Sequence, residues 1–346
     1  MLALALSWGR TPPTALAVLV ALFLAGSVLA AVHHAEVVAH RVGEPFGSLV
    51  LAVAVTVIEV ALIVSLMISG GDKAATLARD TVFSAVMITC NGIVGLSLLF
   101  ATIRRRVAVF NAEGSGGALA TVTTLATLSL VLPTFTTSKP GPSFSPAQLA
   151  FAAVASLILY GLFVLTQTVR HRDYFLPVNS SGTVIEAEEH AAAPTARRAL
   201  ISLGMLLIAL IAVVGLAKVE SPIIEKVVIE AGLPPAVVGV VIALLVLLPE
   251  TLAAVRAARR DRLQTSFNLA LGSAMASIGL TIPAIAIASI WLSGPLTLGL
   301  GATHMVLLAL TVAVTTLTVV PGRATLLQSG VHLVLFAGFL FLAVSP

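Results

Sequence analysis

Along the whole of this 346-residue chain, apolar runs about as long as a membrane crossing alternate with short polar links. A hydrocarbon core of about 30 Å needs about 20 apolar residues in a helix. Ten runs meet that measure, at roughly 14–32, 47–69, 81–102, 117–133, 147–169, 199–217, 235–255, 265–291, 296–320 and 326–345. The pattern predicts an all-α polytopic membrane protein with about ten transmembrane helices. A transmembrane β-barrel would show shorter segments of alternating polarity. The first run, Thr14 to Val32, outlasts the apolar part of a usual signal peptide, and no clear cleavage site follows, so it reads as a retained helix.

The links add an organisation. The longest polar stretch, 170–198, holds His171, Arg172, Asp173, Glu186, Glu188, Glu189, His190, Arg197 and Arg198. It separates a first unit, 1–169, from a second, 199–346, with five runs each. Of the 19 Lys and Arg residues, 13 fall in odd-numbered links and 6 in the N-terminus and even-numbered links. Positive charge marks the cytoplasmic side. The odd links, with the acidic 170–198 linker, are therefore expected in the cytoplasm and both termini outside, in a multi-pass protein of the cell (inner) membrane.

The two units also repeat. At an offset of 191 residues, Glu59 falls on Glu250 without a gap from the first run of each unit. At 184, Thr81-Val82-Phe83-Ser84 falls on Thr265-Ser266-Phe267-Asn268, and Thr89 on Ser273. Five crossings per unit make the second inverted relative to the first. Two inverted five-helix repeats with broken helices meeting at the midplane are a recurring transporter architecture.

Composition narrows the classes. The chain is 58% hydrophobic and 10% charged, too apolar for a soluble domain of this length. Its charge of +4 lies mostly in loop Lys and Arg, so no nucleic-acid partner is implied; the surroundings are lipid. One cysteine, Cys90, excludes an internal disulfide or a cysteine metal cluster.

The candidate chemistry is carboxylate chemistry. Glu59 and Glu250 are the Asp or Glu residues that fall inside the apolar runs. An unpaired charge there costs several kcal/mol (~2.5–3.5 on insertion scales), so such residues default to functional sites. Pro249 precedes Glu250 and removes a helix hydrogen bond, which predicts a broken helix exposing carbonyls beside the acid. The plainer alternatives are a Glu250 snorkelling toward Arg256 and a protonated Glu59 bonded to Thr56. Burial and a second acid both disfavour a carboxylate's ionised form. Such a pair is either protonated and neutral or ionised and holding a cation, which is the exchange a proton antiporter needs. Two carboxylates with neutral oxygens suit a hard ion such as Ca²⁺. Thr56, Thr89, Asn91, Asn268, Ser273 and Ser277 are the candidate oxygens, with helix packing by small residues as the alternative. His33, His34, Glu36 and His40 read as a wet interface, and His304 and His332 as satisfied core histidines.

The motifs around both acids resemble those of ChaA-type bacterial Ca²⁺/H⁺ antiporters, in the cation/calcium exchanger superfamily. The second signature is Leu248-Pro249-Glu250-Thr251 through Arg256-Ala257-Ala258-Arg259 and Gln264-Thr265-Ser266 to Asn268, Gly272 and Ser273. The first runs through Gly43-Glu44-Pro45-Phe46-Gly47, Ala54 to Val60, Gly70-Gly71-Asp72 and Arg79-Asp80-Thr81, with Asn91-Gly92-Ile93 beyond. The resemblance implies ten core helices in two inverted halves, with Glu59 and Glu250 as the essential pair and metal ligands. It implies a Gly-Ser and amide residues on the helix after each acid. Gly272-Ser273 matches, while the first half has Ile88-Thr89 and Asn91.

The expected function is export of Ca²⁺, with Na⁺ or K⁺ as further substrates, in exchange for H⁺ and without a cofactor. A same-fold exchanger specific mainly for Na⁺ and K⁺, and a passive cation channel, are the alternatives. An intramembrane enzyme is not expected, because the runs hold two isolated histidines, no Asp and no metal-binding His motif.

Overall fold

The computed structural model describes residue 4 and residues 14–43, 46–70, 75–178, 194–291 and 294–346. Glu44, Asp72, Glu186, Glu188, Glu189 and His190 lie outside the described residues.

The first unit runs α1 (Thr14–Val42), α2 (Phe46–Gly70), then α3 (Leu77–Met87) and α4 (Val94–Arg104) joined by a π-helical turn, Ile88–Ile93. It continues with α5 (Ala112–Ala126), a second π-turn and α6 (Leu132–Phe135), then α7 (Pro146–Leu165). The second unit runs α8 (Ala196–Glu230), α9 (Ala236–Val246), α10 (Leu248–Arg259), α11 (Leu263–Ala288), α12 (Ala302–Val319) and α13 (Leu326–Val344). Among the described residues, eight spans are long and apolar enough to cross a membrane; the pair α9–α10, bent by 52°, and the apolar α2 bring the count to about the ten expected.

Side chains punctuate the helices where the sequence turns polar. Ser145 opens α7 and Thr325 opens α13 with reciprocal capping boxes to Gln148 and Gln328. Each box satisfies amides that the helix itself leaves unpaired.

The links sort to two ends, as alternation of ten crossings requires. At one end β1 (Ala108–Val109) pairs with β2 (Arg323–Ala324), Arg105 meets Asp261 at 2.9 Å, and Asn268 donates to the Phe175 carbonyl at 2.6 Å. All of these join odd-numbered links or the helix ends beside them. At the other end Thr297 donates to Ala75 and Gly299 to Pro142, each at 2.9 Å, joining even-numbered links.

The helices form two cores. In one, α1 and α8 pack along each other and against α2 and α9, through Val28, Ala31, Ile58, Leu62, Val213, Leu216 and Ile242. The other gathers α3, α4, α5, α7, α11, α12 and α13 around Phe83, Leu98, Leu125, Phe267 and Ile278. Contacts obey the repeat: α2 packs on α11 as α9 packs on α3, and α4 on α13 as α7 on α11. Gly239 of α9 makes its crossing close, since a Cβ there would stand 2.9 Å from the Asp80 and Thr81 backbone. The symmetry is broken at the first helices, where α2 lies along α8 but α9 scarcely meets α1.

Two helices outrun their apolar sequences, which corrects one expectation. Helix α1 continues to Val42 and so includes Glu36, while α8 continues to Glu230 and buries Glu220 at 3% exposure. Asp80 stands in the first turn of α3, buried and held at 2.8 Å by both Arg79 and Thr76. Glu59 and Glu250 are therefore not the only acids in the spanning helices. Amphipathic ends packed on a neighbour remain helical, so an apolar window misses them.

Candidate cation site

Glu59 lies thirteen residues into the unbroken α2, about 20 Å along its axis at 1.5 Å per residue. It is 2% exposed. Its Oε2 accepts a hydrogen bond from Ser277 Oγ at 3.0 Å, and its Oε1 has no partner among the described residues. Ser277 comes from α11, in the other unit. Thr281, one turn further along the same face of α11, lies beside this carboxylate with its hydroxyl unpaired. Thr56 is buried one turn before Glu59 on α2.

Glu250 reaches the same region from the helix break. The chain leaves α9 at Leu247 and restarts as α10 at Leu248, placing Glu250 in the first turn of α10. Pro249 has no N–H to return to the carbonyl of Leu245, so the hydrogen-bond ladder of α9 is interrupted there. The break has an electrostatic result. A helix N-terminus favours a carboxylate, by about 0.3–1 kcal/mol at exposed sites and more when partly buried. Thr251 closes the new turn, its hydroxyl donating to the Leu247 carbonyl at 2.7 Å. Glu250 is half-buried and lies within electrostatic reach of Glu59 and Glu36; its Oε2 has no partner among the described residues.

The other candidates divide. Ser273 is half-buried on α11, one turn before Ser277. The Thr89 hydroxyl turns back onto its own helix, donating to the Ala85 carbonyl at 2.7 Å. Asn91 binds Thr311 at 2.9 Å and His332 at 3.2 Å, among the last two helices. Asn268 accepts from Gln264 at 2.9 Å and holds the Phe175 carbonyl, near the start of α11. The structure thus bonds Ser277 to Glu59, sets Thr281 beside it, leaves Glu250 within electrostatic reach and Thr56 one turn away on α2, and engages Thr89, Asn91 and Asn268 elsewhere. Sequence reasoning missed Thr281. Its signal was present, since Ser277 and Thr281 stand at i and i+4 and share a face.

Chemically, two acids from opposite units lie within electrostatic reach of each other, and one of them, Glu59, meets hydroxyls from α11. Among the described residues, no group of three or more His, Cys, Asp or Glu forms a metal cluster. Glu59 Oε1 and Glu250 Oε2, each without a partner among the described residues, are the oxygens open to a proton or a cation.

The sodium/calcium exchanger protein family model matches residues 13–169 and 201–345 of this chain. The chain is 48% identical over 328 residues to the y4hA protein of Sinorhizobium fredii, covering 93% of this chain and 87% of that one. It is 35% identical over 337 residues to the sodium-potassium/proton antiporter ChaA of Escherichia coli, covering 96% and 91%. In fold it is similar to native YfkE, with a TM-score of 0.71 over 97% of this chain and 93% of that one at 16% identity. It is also similar to the H⁺/Ca²⁺ exchanger CAX, with a TM-score of 0.66 over 94% and 82% at 16% identity. With matches along both units, the chain belongs to the sodium/calcium exchanger protein family.

Proposed function

We propose that this protein is a secondary cation/proton antiporter that exports Ca²⁺, and also Na⁺ or K⁺, against entering protons. The observation that carries the reading is the placement of Glu59 and Glu250, one from each unit, within electrostatic reach of each other, with the Ser277 and Thr281 hydroxyls beside Glu59. Each acid keeps one buried oxygen without a partner among the described residues. In hydrocarbon that is costly for a carboxylate with no further purpose. Protonation of both acids makes the site neutral. Loss of both protons leaves two charges that match one Ca²⁺, and loss of one leaves a charge that matches Na⁺ or K⁺. Proton and cation therefore exclude each other at shared oxygens, which is the coupling that antiport requires.

A mainly Na⁺/K⁺ exchanger is the second reading. Ca²⁺ takes six to eight oxygens, whereas Leu247, Leu248 and Pro249 offer no side-chain oxygen before Glu250, and Asn91 and Asn268 are engaged elsewhere. The 35% identical relative is named for sodium and potassium.

In this reading the units are 1–169 and 199–346, joined by a cytoplasmic linker at 170–198, and both termini lie outside the cell membrane. Glu59 is sealed while Glu250 is partly exposed and within reach of Glu36, which supports a site open toward the cytoplasmic links. The long α1 and α8, which share a core of their own with α2 and α9, would shift against the second core to change access.

The test uses everted membrane vesicles energised to be acid inside. Ca²⁺, Na⁺ and K⁺ are added separately while lumenal pH is followed. Alkalinisation on adding a cation is expected, and the order of ions gives the selectivity. Cation flux indifferent to the proton gradient would point to a channel instead.

A further inference from the structure

The π-turn of the first unit is held by a chain of buried hydrogen bonds that reaches into the last two helices. Asn91 Nδ2 donates to Thr311 Oγ1 on α12 at 2.9 Å. His332 Nδ1 on α13 meets Asn91 Oδ1 at 3.2 Å, and His332 Nε2 meets Thr318 Oγ1 on α12 at 3.1 Å. All four residues are 0–2% exposed. The pattern fixes one tautomer. Asn91 gives its amide to Thr311, so its oxygen faces His332; Nδ1 then carries the proton, and Nε2 accepts from the Thr318 hydroxyl.

We infer that His332 and Thr311 are positioning residues for cation binding, holding Asn91 and with it the π-turn that walls the site. The inference rests on the proposed antiport function. Three observations carry it. First, the π-turn packs on α10 and α11, the helices of Glu250 and Ser277, as well as on α12 and α13. Second, α13 packs closely on the turn and the start of α4: a Cβ on Gly95, just past the turn, would stand 3.0 Å from Leu333 and 3.1 Å from His332, and Gly92 within the turn lies in contact with the Phe336 ring. Third, a π-turn adds a residue to the helical ladder, is rarely adopted, and recurs at functional sites. A turn with an unusual hydrogen-bond pattern needs a fixed anchor. A fully satisfied polar chain gives a directional one where apolar packing would not. The amide of Asn91 thus acts away from the cation, through the backbone of the turn that carries it.

The test measures exchange in proteoliposomes with Na⁺, K⁺ and Ca²⁺ in turn, for wild type, His332→Leu, His332→Asn, Thr311→Val and Ser329→Ala. The Ser329 hydroxyl bonds the Gly95 carbonyl at 2.9 Å on the same α13–α4 contact, outside the network, so it controls for general loosening. His332→Leu and Thr311→Val are expected to raise the half-saturating cation concentration about fivefold, the size of one net hydrogen bond, with a smaller change in maximal rate. His332→Asn, whose amide nitrogen replaces Nδ1, is expected to restore it, and Ser329→Ala to leave it unchanged. An unchanged half-saturation in both network variants, or an equal shift in Ser329→Ala, overturns the inference. If His332→Leu does not accumulate, Thr311→Val decides the same question. Wild type that exchanges none of the three cations would instead end the antiport reading, and this inference with it.

Discussion

Ser277 donates a hydrogen bond to Glu59 across 3.0 Å, and the two residues come from opposite units of the chain. That single bond ties α11 to α2 at the depth where the first acid is buried. A hydroxyl bonded to a carboxylate in a dry surround is worth more than a neutral pair, about 1.5–3 kcal/mol. Ser277→Ala is therefore expected to weaken cation binding about tenfold or more, while Ser277→Thr keeps most of it. Half-saturating cation concentrations in proteoliposomes check this, and equal values for wild type and Ser277→Ala would remove the serine from the site.

Thr281 gives a companion expectation. Its hydroxyl lies beside Glu59 without a partner among the described residues, so it is free to join a cation. Thr281→Val keeps the shape and removes the oxygen. Cation affinity should fall several-fold with little loss of thermal stability, because the Thr281 hydroxyl lies close to Glu59 without a hydrogen bond of full geometry. A lower melting temperature with unchanged affinity would assign Thr281 to packing.

The pH dependence follows from shared oxygens. Protons and cations compete for Glu59 and Glu250, so the half-saturating cation concentration should rise as pH falls. One competing proton gives a limiting slope of about tenfold per pH unit, and two give about a hundredfold. The slope for Ca²⁺ should be steeper than for Na⁺ or K⁺. A flat profile would separate the proton site from the cation site.

The break at Leu247 fixes where Glu250 stands. Pro249 lies in the first turn of α10, where its missing N–H is one the helix leaves unpaired anyway, and Pro249→Ala returns the N–H that would let α9 run on into α10. The variant is expected to melt at about the wild-type temperature in detergent and to transport poorly, because straightening the 52° bend moves Glu250. Transport at the wild-type rate would show that the bend is incidental.

Much of this was legible in the sequence because the bilayer imposes a length on each crossing. The ten runs, the sorting of odd and even links to opposite ends and the break before Glu250 all follow from hydropathy, parity and proline chemistry. The site's outer members were less legible. Asn91 and Asn268 sit on the expected helices, yet a small polar residue in a spanning helix can face the acids or a neighbouring helix, and local sequence does not distinguish these. Asn91 turns to Thr311 and His332, partners more than 200 residues away. Thr281 was missed although it repeats the Ser277 face. Glu220 was missed because α8 outruns its apolar run by a polar segment that stays helical against its neighbours.

The central claim is that Glu59 and Glu250 alternately carry proton and cation. The most direct measurement is cation-driven proton movement in proteoliposomes of wild type, Glu59→Gln and Glu250→Gln, with matched protein content and melting temperature. The glutamines keep the shape and remove the charge. Loss of exchange by about a hundredfold or more in both variants is predicted. Exchange that survives either substitution would remove that glutamate from the coupling and contradict the two-carboxylate site.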